Sequence, residues 1–163
     1  MTLERLLADA AKVGALLKER NETIAIAESS TGGLLAASLL AVPGASAYFK
    51  GGAVLYTRKA LLQLLNVQEE RLKGQVPSSE GYALLKAQLV RGHLDATWGL
   101  SETGVAGPTG NKYGHAPGHS CIAVSGPLER TRTVETAQSD RVENMYAFAQ
   151  AALKLLRETL EKK

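Results

Sequence analysis

The chain has 163 residues, 45% of them hydrophobic and 21% charged, with a net charge of +3 and a pI near 9.0. These values are ordinary for one domain spanning residues 1–163, which buries enough surface to fold without disulfides or metals. Lys and Arg are scattered, which weighs against nucleic-acid binding. No apolar run is long enough to span a membrane, and the N-terminus lacks a signal-peptide pattern, so we expect a cytoplasmic protein.

The cysteine and histidine content argues against metal chemistry. Cys121 is the sole cysteine, so it has no partner for an internal disulfide, and no Cys/His cluster has zinc spacing. Cys121 lies in an apolar run that predicts a strand, which indicates a buried and unreactive thiol. We therefore expect neither a metal nor another cofactor.

Helices and strands alternate in the first half of the chain. Residues 2–20 place leucine and alanine side chains on one face at helical spacing, and the apolar, β-branched run 23–27 predicts a short buried strand. The further elements predicted in this half are helix 34–42, strand 52–56 and helix 58–65.

The second half begins with a helix that Ser78 or Ser79 would cap, running to about residue 91. Strand 96–103 follows, and then a loop rich in glycine and proline. A tight Gly126-Pro127 turn joins the next two predicted strands, which indicates an antiparallel hairpin. The further elements predicted in this half are loop 104–118, strands 119–125 and 132–136, and helix 141–160.

This order of elements predicts an α/β fold. It is a three-layer α/β/α sandwich on a mainly parallel mixed sheet of about five strands, one of them antiparallel. Such sheets bind ligands beyond the carboxyl ends of their strands. We expect loops 28–33, 44–57 and 104–118 to lie at those ends and to form the site.

The turn after the first strand indicates an anion-binding site. Unpaired backbone N–H groups at a helix start attract anions such as phosphate, and hydroxyl side chains add further donors. The alternative is a helix N-cap whose glycines allow the helix to pack on the sheet. The residues expected to contact a ligand are Ser29, Ser30, Thr31, Gly32 and Gly33.

Four segments, taken in order, resemble the CinA C-terminal family. They are A-E-S-S-T-G-G, V-P-G-A-S-A-Y-F-K-G-G, Y-T before a helix ending L-L-N-V, and S-E-T-G-V-A-G-P-T-G. The resemblance covers essentially the whole chain, and the related stand-alone proteins are nicotinamide mononucleotide (NMN) amidohydrolases. It implies an α/β/α fold, a homodimer, and metal-free hydrolysis of the carboxamide of NMN to the acid and ammonia.

The resemblance also implies roles for particular residues. Ser46 matches a serine nucleophile, Tyr56 matches an assisting tyrosine, and Arg141 matches an arginine that would pair with the substrate phosphate. The glycine-rich loop adds Gly107 and Pro108 as substrate contacts, unless 104–118 is simply a long surface loop.

One position departs from the family pattern. The family lysine that serves as base, five residues after the tyrosine, corresponds to Leu61, which cannot accept a proton. Lys59 would point to the other helix face, and Arg58, on the same face, could bind phosphate but stays protonated. His115 and His119 are further candidates for the base.

Two hypotheses about function follow. The first is an amidohydrolase acting on NMN or a related pyridine nucleotide with a rearranged base. The second is a catalytically weak or inactive member that binds a nucleotide as a sensor or partner module. A third, a competence or DNA-damage accessory, rests on the family's name alone.

Overall fold

The computed structural model describes residues 2–163, in which five strands form one mixed sheet. The strands are β1 (Ile24–Glu28), β2 (Phe49–Val54), β3 (Trp98–Val105), β4 (His119–Ser125) and β5 (Arg130–Glu135), in the spatial order β2-β1-β3-β4-β5. β1 pairs in parallel with both β2 and β3, whereas β4 is antiparallel to β3 and to β5. β4 is thus the one strand that runs against the others, as predicted.

Five α-helices cover the two faces of this sheet. They are α1 (Glu4–Glu19), α2 (Leu34–Leu40), α3 (Arg58–Leu64), α4 (Glu80–His93) and α5 (Arg141–Glu161). α1, α2 and α5 pack together on one face, and α3 and α4 pack on the other. The predicted three-layer sandwich is confirmed. Among the helices of residues 2–163, none is long and apolar enough to cross a bilayer.

The two faces have separate apolar cores because side chains alternate along each strand. On the α1/α5 face, Ile26, Trp98 and Leu100 are fully buried in one cluster. On the other face, Ala25 and Ala27 pack in a second cluster with side chains of α3 and α4. Small residues on this second face leave room for α4 to lie close to the sheet.

α4 lies very close to the sheet at Gly99 of β3. A Cβ atom there would lie 2.1 Å from the carbonyl oxygen of Ala87, so only glycine permits this packing. This contact between backbone atoms, rather than between side chains, limits how close the middle of α4 lies to the sheet. Lys86 is the neighbour of Ala87 in the same part of the helix.

Most predicted elements agree with the structure, but β2 does not begin where it was predicted to begin. It starts at Phe49 instead of residue 52, because the backbone carbonyl of Tyr48 already accepts a hydrogen bond from Ile24 and starts the pairing with β1. The prediction that loop 44–57 lies wholly at the carboxyl ends of the strands is therefore wrong. Residues 44–48 precede β2 at its amino end, and only 55–57 follow it.

Candidate functional site

A cavity of about 610 Å³ opens at the carboxyl ends of β1, β2 and β3. Its size is in the range of small-molecule sites, and its position is where open α/β sheets bind ligands. Ser29 after β1, Tyr56 after β2 and residues 104–107 at the end of β3 contribute to its wall. Side chains of α4 and residues 109–113 of the long loop complete it.

The wall of the cavity is cationic. Within the part of the chain that the structure describes, no Asp or Glu lines it. Its four cationic side chains are Arg58, Lys86, Lys112 and Arg141. Its three tyrosines are Tyr56, Tyr82 and Tyr113. A wall that carries cations and no lining carboxylate attracts an anion, and tyrosine rings offer flat surfaces for an aromatic ring.

The structure brings together three of the predicted site residues. Arg141, the first residue of α5, donates a 2.5 Å hydrogen bond to the carbonyl oxygen of Gly107 and a 3.1 Å hydrogen bond to the hydroxyl of Tyr56. Asp140 caps the helix by accepting a hydrogen bond from the backbone N–H of Glu143. The helix start thus fixes the guanidinium between the long loop and the end of β2.

The loop at Gly107 requires glycine. Its φ is +103°, and a Cβ atom would lie 2.7 Å from the carbonyl oxygen of Ser139. Pro108, the next predicted contact, is exposed and is not part of the cavity wall. The glycine lets the loop pass close to the segment before α5, next to Arg141.

Arg58 lies in the cavity wall at the start of α3, as predicted, but its guanidinium has a partner already. It donates a 3.2 Å hydrogen bond to Glu69, and both side chains are more than half exposed. An exposed pair of this kind is weak, so the guanidinium can exchange Glu69 for an anionic ligand at little cost.

In the predicted anion-binding turn, the donors are occupied by carboxylates of the protein. Glu102 of β3, fully buried, accepts hydrogen bonds from the backbone N–H groups of Ser29 and Thr31 at 3.2 and 3.0 Å. The hydroxyls of Ser30, Thr31 and Ser120 also donate to it. Ser29 alone among the five predicted turn residues lines the cavity.

Glu28 occupies the other half of the turn. It accepts hydrogen bonds from the backbone N–H groups of Gly33, Leu35 and Ala36 at 2.9–3.1 Å and from the Thr31 hydroxyl at 2.8 Å. Burial raises the pKa of Glu28, and the nearby charge of Glu102 adds to the increase. Four of the predicted ligand contacts lie outside the cavity wall, namely Ser30, Thr31, Gly32 and Gly33. Their ligand role stays a prediction.

Ser46 is not brought together with Tyr56. It lies exposed in a short 3₁₀ turn, Ala45–Ala47, before β2, whereas Tyr56 follows that strand. The six residues of β2 separate them, a distance of roughly 20 Å at the rise of a β-strand. Within one chain, Ser46 therefore does not reach the cavity.

Position 61 and the two histidines supply no base to the cavity within one chain. Leu61 is fully buried in the apolar cluster under α3. His119 uses both ring nitrogens, Nδ1 with Glu135 and Nε2 with the carbonyl oxygen of Ser78 at 2.8 Å. His115 stacks on His119 with 3.9 Å between ring centroids, and neither histidine lines the cavity.

Lys86 is a site residue that the sequence analysis missed. It is 1% exposed, lines the cavity, and donates a 2.9 Å hydrogen bond to the backbone carbonyl of Glu102. Burial lowers its pKa from 10.5 to about 8, although the charges of Glu102 and Glu28 oppose this. Its signal in the sequence is a charged residue in the apolar stripe of a helix, next to Ala83, Ala87 and Val90.

No group of three or more His, Cys, Asp or Glu side chains arranged to hold a metal ion occurs among residues 2–163. The cavity's own donors are N–H and O–H groups, which suit an anionic organic ligand better than a cation.

Comparison with known proteins gives the relatives of this fold and site. The sequence profile of the CinA C-terminal domain matches residues 7–160. A CinA-like protein from Desulforapulum autotrophicum is 41% identical over 150 residues, and one from Gloeobacter violaceus is 43% identical over 146 residues. These matches cover 91% and 88% of this chain but only 36% and 34% of the relatives, so the chain spans about a third of their length.

Solved structures agree in fold over the full chain. A competence/damage-inducible protein from Agrobacterium tumefaciens aligns with a TM-score of 0.86 at 26% identity, covering 96% of this chain and 95% of its own. A CinA superfamily protein from Klebsiella pneumoniae aligns with a TM-score of 0.88 at 24% identity, and each chain is covered completely. The chain therefore belongs to the CinA C-terminal domain family.

Proposed function

We propose that this chain binds a pyridine mononucleotide in the cavity and hydrolyses its carboxamide to the acid and ammonia, with NMN as the first substrate to test. The observation that carries the proposal is the cavity wall, in which four cationic side chains face three tyrosines with no carboxylate among the described lining residues. A phosphate on an aromatic base is the kind of ligand that suits such a wall.

The geometry supports a division of roles within the wall. Arg141 and Arg58, at the mouth of the cavity, pair with the phosphate, and Arg141 is already oriented by Gly107. Tyr56, whose hydroxyl accepts a hydrogen bond from Arg141, lies where it can contact the substrate beside the phosphate. Tyr82 and Tyr113 present rings to the pyridine.

The nucleophile role of Ser46, implied by the family resemblance, needs a second copy of the chain. β2 is an edge strand of the sheet. If two such edges pair antiparallel in a homodimer, the amino end of one strand lies beside the carboxyl end of the other. Ser46 of one copy would then approach Tyr56 of the other.

A second candidate function is nucleotide binding without hydrolysis. The observation that favours it is the buried Leu61, which cannot serve as a proton acceptor and lies in an apolar cluster. A positioned base contributes about 10²- to 10⁴-fold in rate, so a chain without one binds its ligand but turns it over very slowly.

A coupled assay of ammonia release distinguishes the two functions. The amidohydrolase predicts ammonia from NMN above the background of a sample without protein, and weaker activity on nicotinamide, which lacks the ribose phosphate. If no ammonia is released while NMN raises the melting temperature of the same sample, hydrolysis is excluded and nucleotide binding is supported. No release and no thermal shift would reject both.

A further inference from the structure

The cavity wall contains a buried amine, that of Lys86, which takes no part in the proposed binding of the phosphate and the pyridine ring. Lys86 is 1% exposed, and a lysine is almost never buried to this extent without a pairing partner. Its one hydrogen bond, to the carbonyl oxygen of Glu102, occupies one of its three donors, and its Nζ lies 5.7 Å from the centroid of the Tyr82 ring. Among the residues that the structure describes, the other donors have no acceptor, and the cavity is beside them.

The carboxylates near Lys86 do not neutralise it by direct contact. Glu102 directs its carboxylate at the backbone of Ser29 and Thr31, and Glu28 directs its own at the start of α2. Neither forms an ion pair with Lys86 in the described part of the chain. A lysine kept for structure would be paired, so the unpaired amine in a cavity indicates a functional group.

Ser29 brings a hydroxyl to the same cavity wall as this amine. Ala25 and Ala27 pack in the apolar cluster that includes Tyr82 of α4, and Ser29 is the first residue after β1, two positions beyond Ala27. Its hydroxyl has no hydrogen-bond partner among residues 2–163, although it lines the cavity. Its backbone is held by the carboxylate of Glu102, the residue whose carbonyl oxygen holds Lys86.

Lys86 lines the same cavity as two residues that share an apolar cluster with Leu61. Leu61 belongs to the same buried apolar cluster as Leu55 and Tyr82, and both of these line the cavity. Lys86, one helical turn after Tyr82, reaches the cavity over the ring of that tyrosine. Helix α3 carries Leu61 in place of the family lysine, and helix α4 supplies an amine through Lys86.

We propose that Lys86 is the general base and Ser29 the nucleophile of this cavity, an inference that rests on the proposed amide hydrolysis. The neutral amine of Lys86 takes the proton from Ser29 Oγ as Oγ bonds to the carboxamide carbon. The lysine ammonium returns this proton to the amide nitrogen as the C–N bond breaks, which releases ammonia and leaves an ester on Ser29. Water then attacks the ester, giving one proton to Lys86, and the acid leaves as Ser29 Oγ regains a proton.

The charge state of Lys86 depends on its whole surroundings. The titratable groups that act on it are Glu28 of β1, Glu102 of β3 and Tyr82 of its own helix. Strand β4, which also packs against α4, carries His119 and Cys121. Burial outweighs the attraction of the two carboxylates and holds the pKa of Lys86 at about 8. The neutral amine is therefore about a tenth of the population near pH 7 and dominates above pH 8.

Labelling with phenylmethanesulfonyl fluoride tests the pair without any assumption about the substrate. The wild-type chain should be sulfonylated at Ser29, as found by mass spectrometry of its peptides. The labelling rate should rise about tenfold per pH unit up to about pH 8 and then level off. Lys86→Met, a substitution of similar length that suits a buried site, should slow labelling at least about 100-fold. Lys59→Met, at an exposed lysine of α3 outside the cavity wall, should label at the wild-type rate.

The outcomes separate this inference from the proposed function. Labelling at Ser46 instead of Ser29, no labelling of any serine, or an unchanged rate in a folded Lys86→Met variant would overturn the pair. Circular dichroism shows whether that variant is folded. If it is not, a wild-type labelling rate that is flat between pH 6.5 and 9 overturns the pair equally. Labelling at Ser29 that depends on Lys86, with no ammonia released from NMN, would reject the proposed substrate and support the pair.

Discussion

At the scale of single residues, the distinctive feature of this chain is a lysine buried beside carboxylates that are engaged elsewhere. The pKa of Lys86, about 8 instead of 10.5, means that the folded protein prefers the neutral amine. Between these two values the unfolded chain binds a proton that the native protein does not. Stability contributed by this group therefore increases as the pH rises from about 8 toward 10.5.

The pH dependence of unfolding should report this lysine. From pH 7 to pH 9.5, we expect Lys86 to add about 2 kcal/mol to the free energy of unfolding of the wild type. Urea denaturation at both pH values measures it in the wild type and in Lys86→Met. Other groups titrate in both proteins. The contribution of Lys86 is therefore the change in the free energy of unfolding of the wild type between the two pH values minus the same change in Lys86→Met. Equal changes would mean that Lys86 stays charged in the folded state.

Arg141 should determine the preference for a phosphorylated substrate. Arg141→Met removes hydrogen bonds to a charged group worth about 1.5–3 kcal/mol, so the KM for NMN should rise about 10- to 150-fold. The KM for nicotinamide riboside, which lacks the phosphate, should change little. Arg71→Met, at an exposed arginine outside the cavity wall, serves as the control. An equal rise for both substrates would place Arg141 away from the phosphate.

At the scale of elements, segments with clear local sequence signals were predicted well. The bounds of β4 and the start of α5 agree with the structure, because an apolar strand between glycines and an Asp-capped amphipathic helix both carry clear local signals. The start of β2 was missed, since Phe49-Lys50-Gly51-Gly52 has little β-propensity and is held as a strand by its pairing with β1. That error placed Ser46 and Tyr56 in one loop.

The site was predicted only in part, for a related reason. Tyr56, Arg58, Gly107 and Arg141 carry recognisable local motifs, and the structure brings them to one cavity or its edge. Lys86 belongs to no such motif. Which face of α4 meets the cavity depends on tertiary packing, and the spacing of residues along the chain does not determine it.

The close packing of α4 on β3 can be tested by adding one methyl group. Gly99→Ala should lower the free energy of unfolding by about 1–3 kcal/mol, because its Cβ would lie 2.1 Å from the carbonyl oxygen of Ala87. Thermal or urea unfolding measures the change. Gly92→Ala, in α4 with no heavy atom within 4 Å of the added Cβ, should be neutral or stabilising by up to about 1 kcal/mol. Equal effects of the two substitutions would contradict the packing argument.

At the scale of the whole molecule, the sheet edges bear on whether one chain or two copies form the complete site. The 17.3 kDa chain has two sheet edges, β2 and β5, and Val54 at the end of β2 is 44% exposed. An exposed edge strand with an apolar residue is available for pairing with a second copy. We therefore propose the β2 edge as the surface of the homodimer implied by the family resemblance.

Oligomeric state and site composition can be measured together. We expect sedimentation to give about twice the 17.3 kDa mass of one chain. We also expect Ser46→Ala to keep its ammonia release and Ser29→Ala to lose it, since Ser29 shares a cavity with Lys86 in the same chain. If Ser46→Ala is inactive, and a mixture with inactive Tyr56→Phe regains activity, the site is instead shared between two copies.

The double role of Glu102 limits how this protein can evolve. Its carboxylate holds the turn after β1 and its carbonyl oxygen holds Lys86, so one residue serves both the scaffold and the reactive amine. A mutation there alters folding and chemistry at once, and selection on either one constrains the other. New substrate preferences are more accessible through residues 109–113, where exposed Lys112 and Tyr113 line the cavity without taking part in the core.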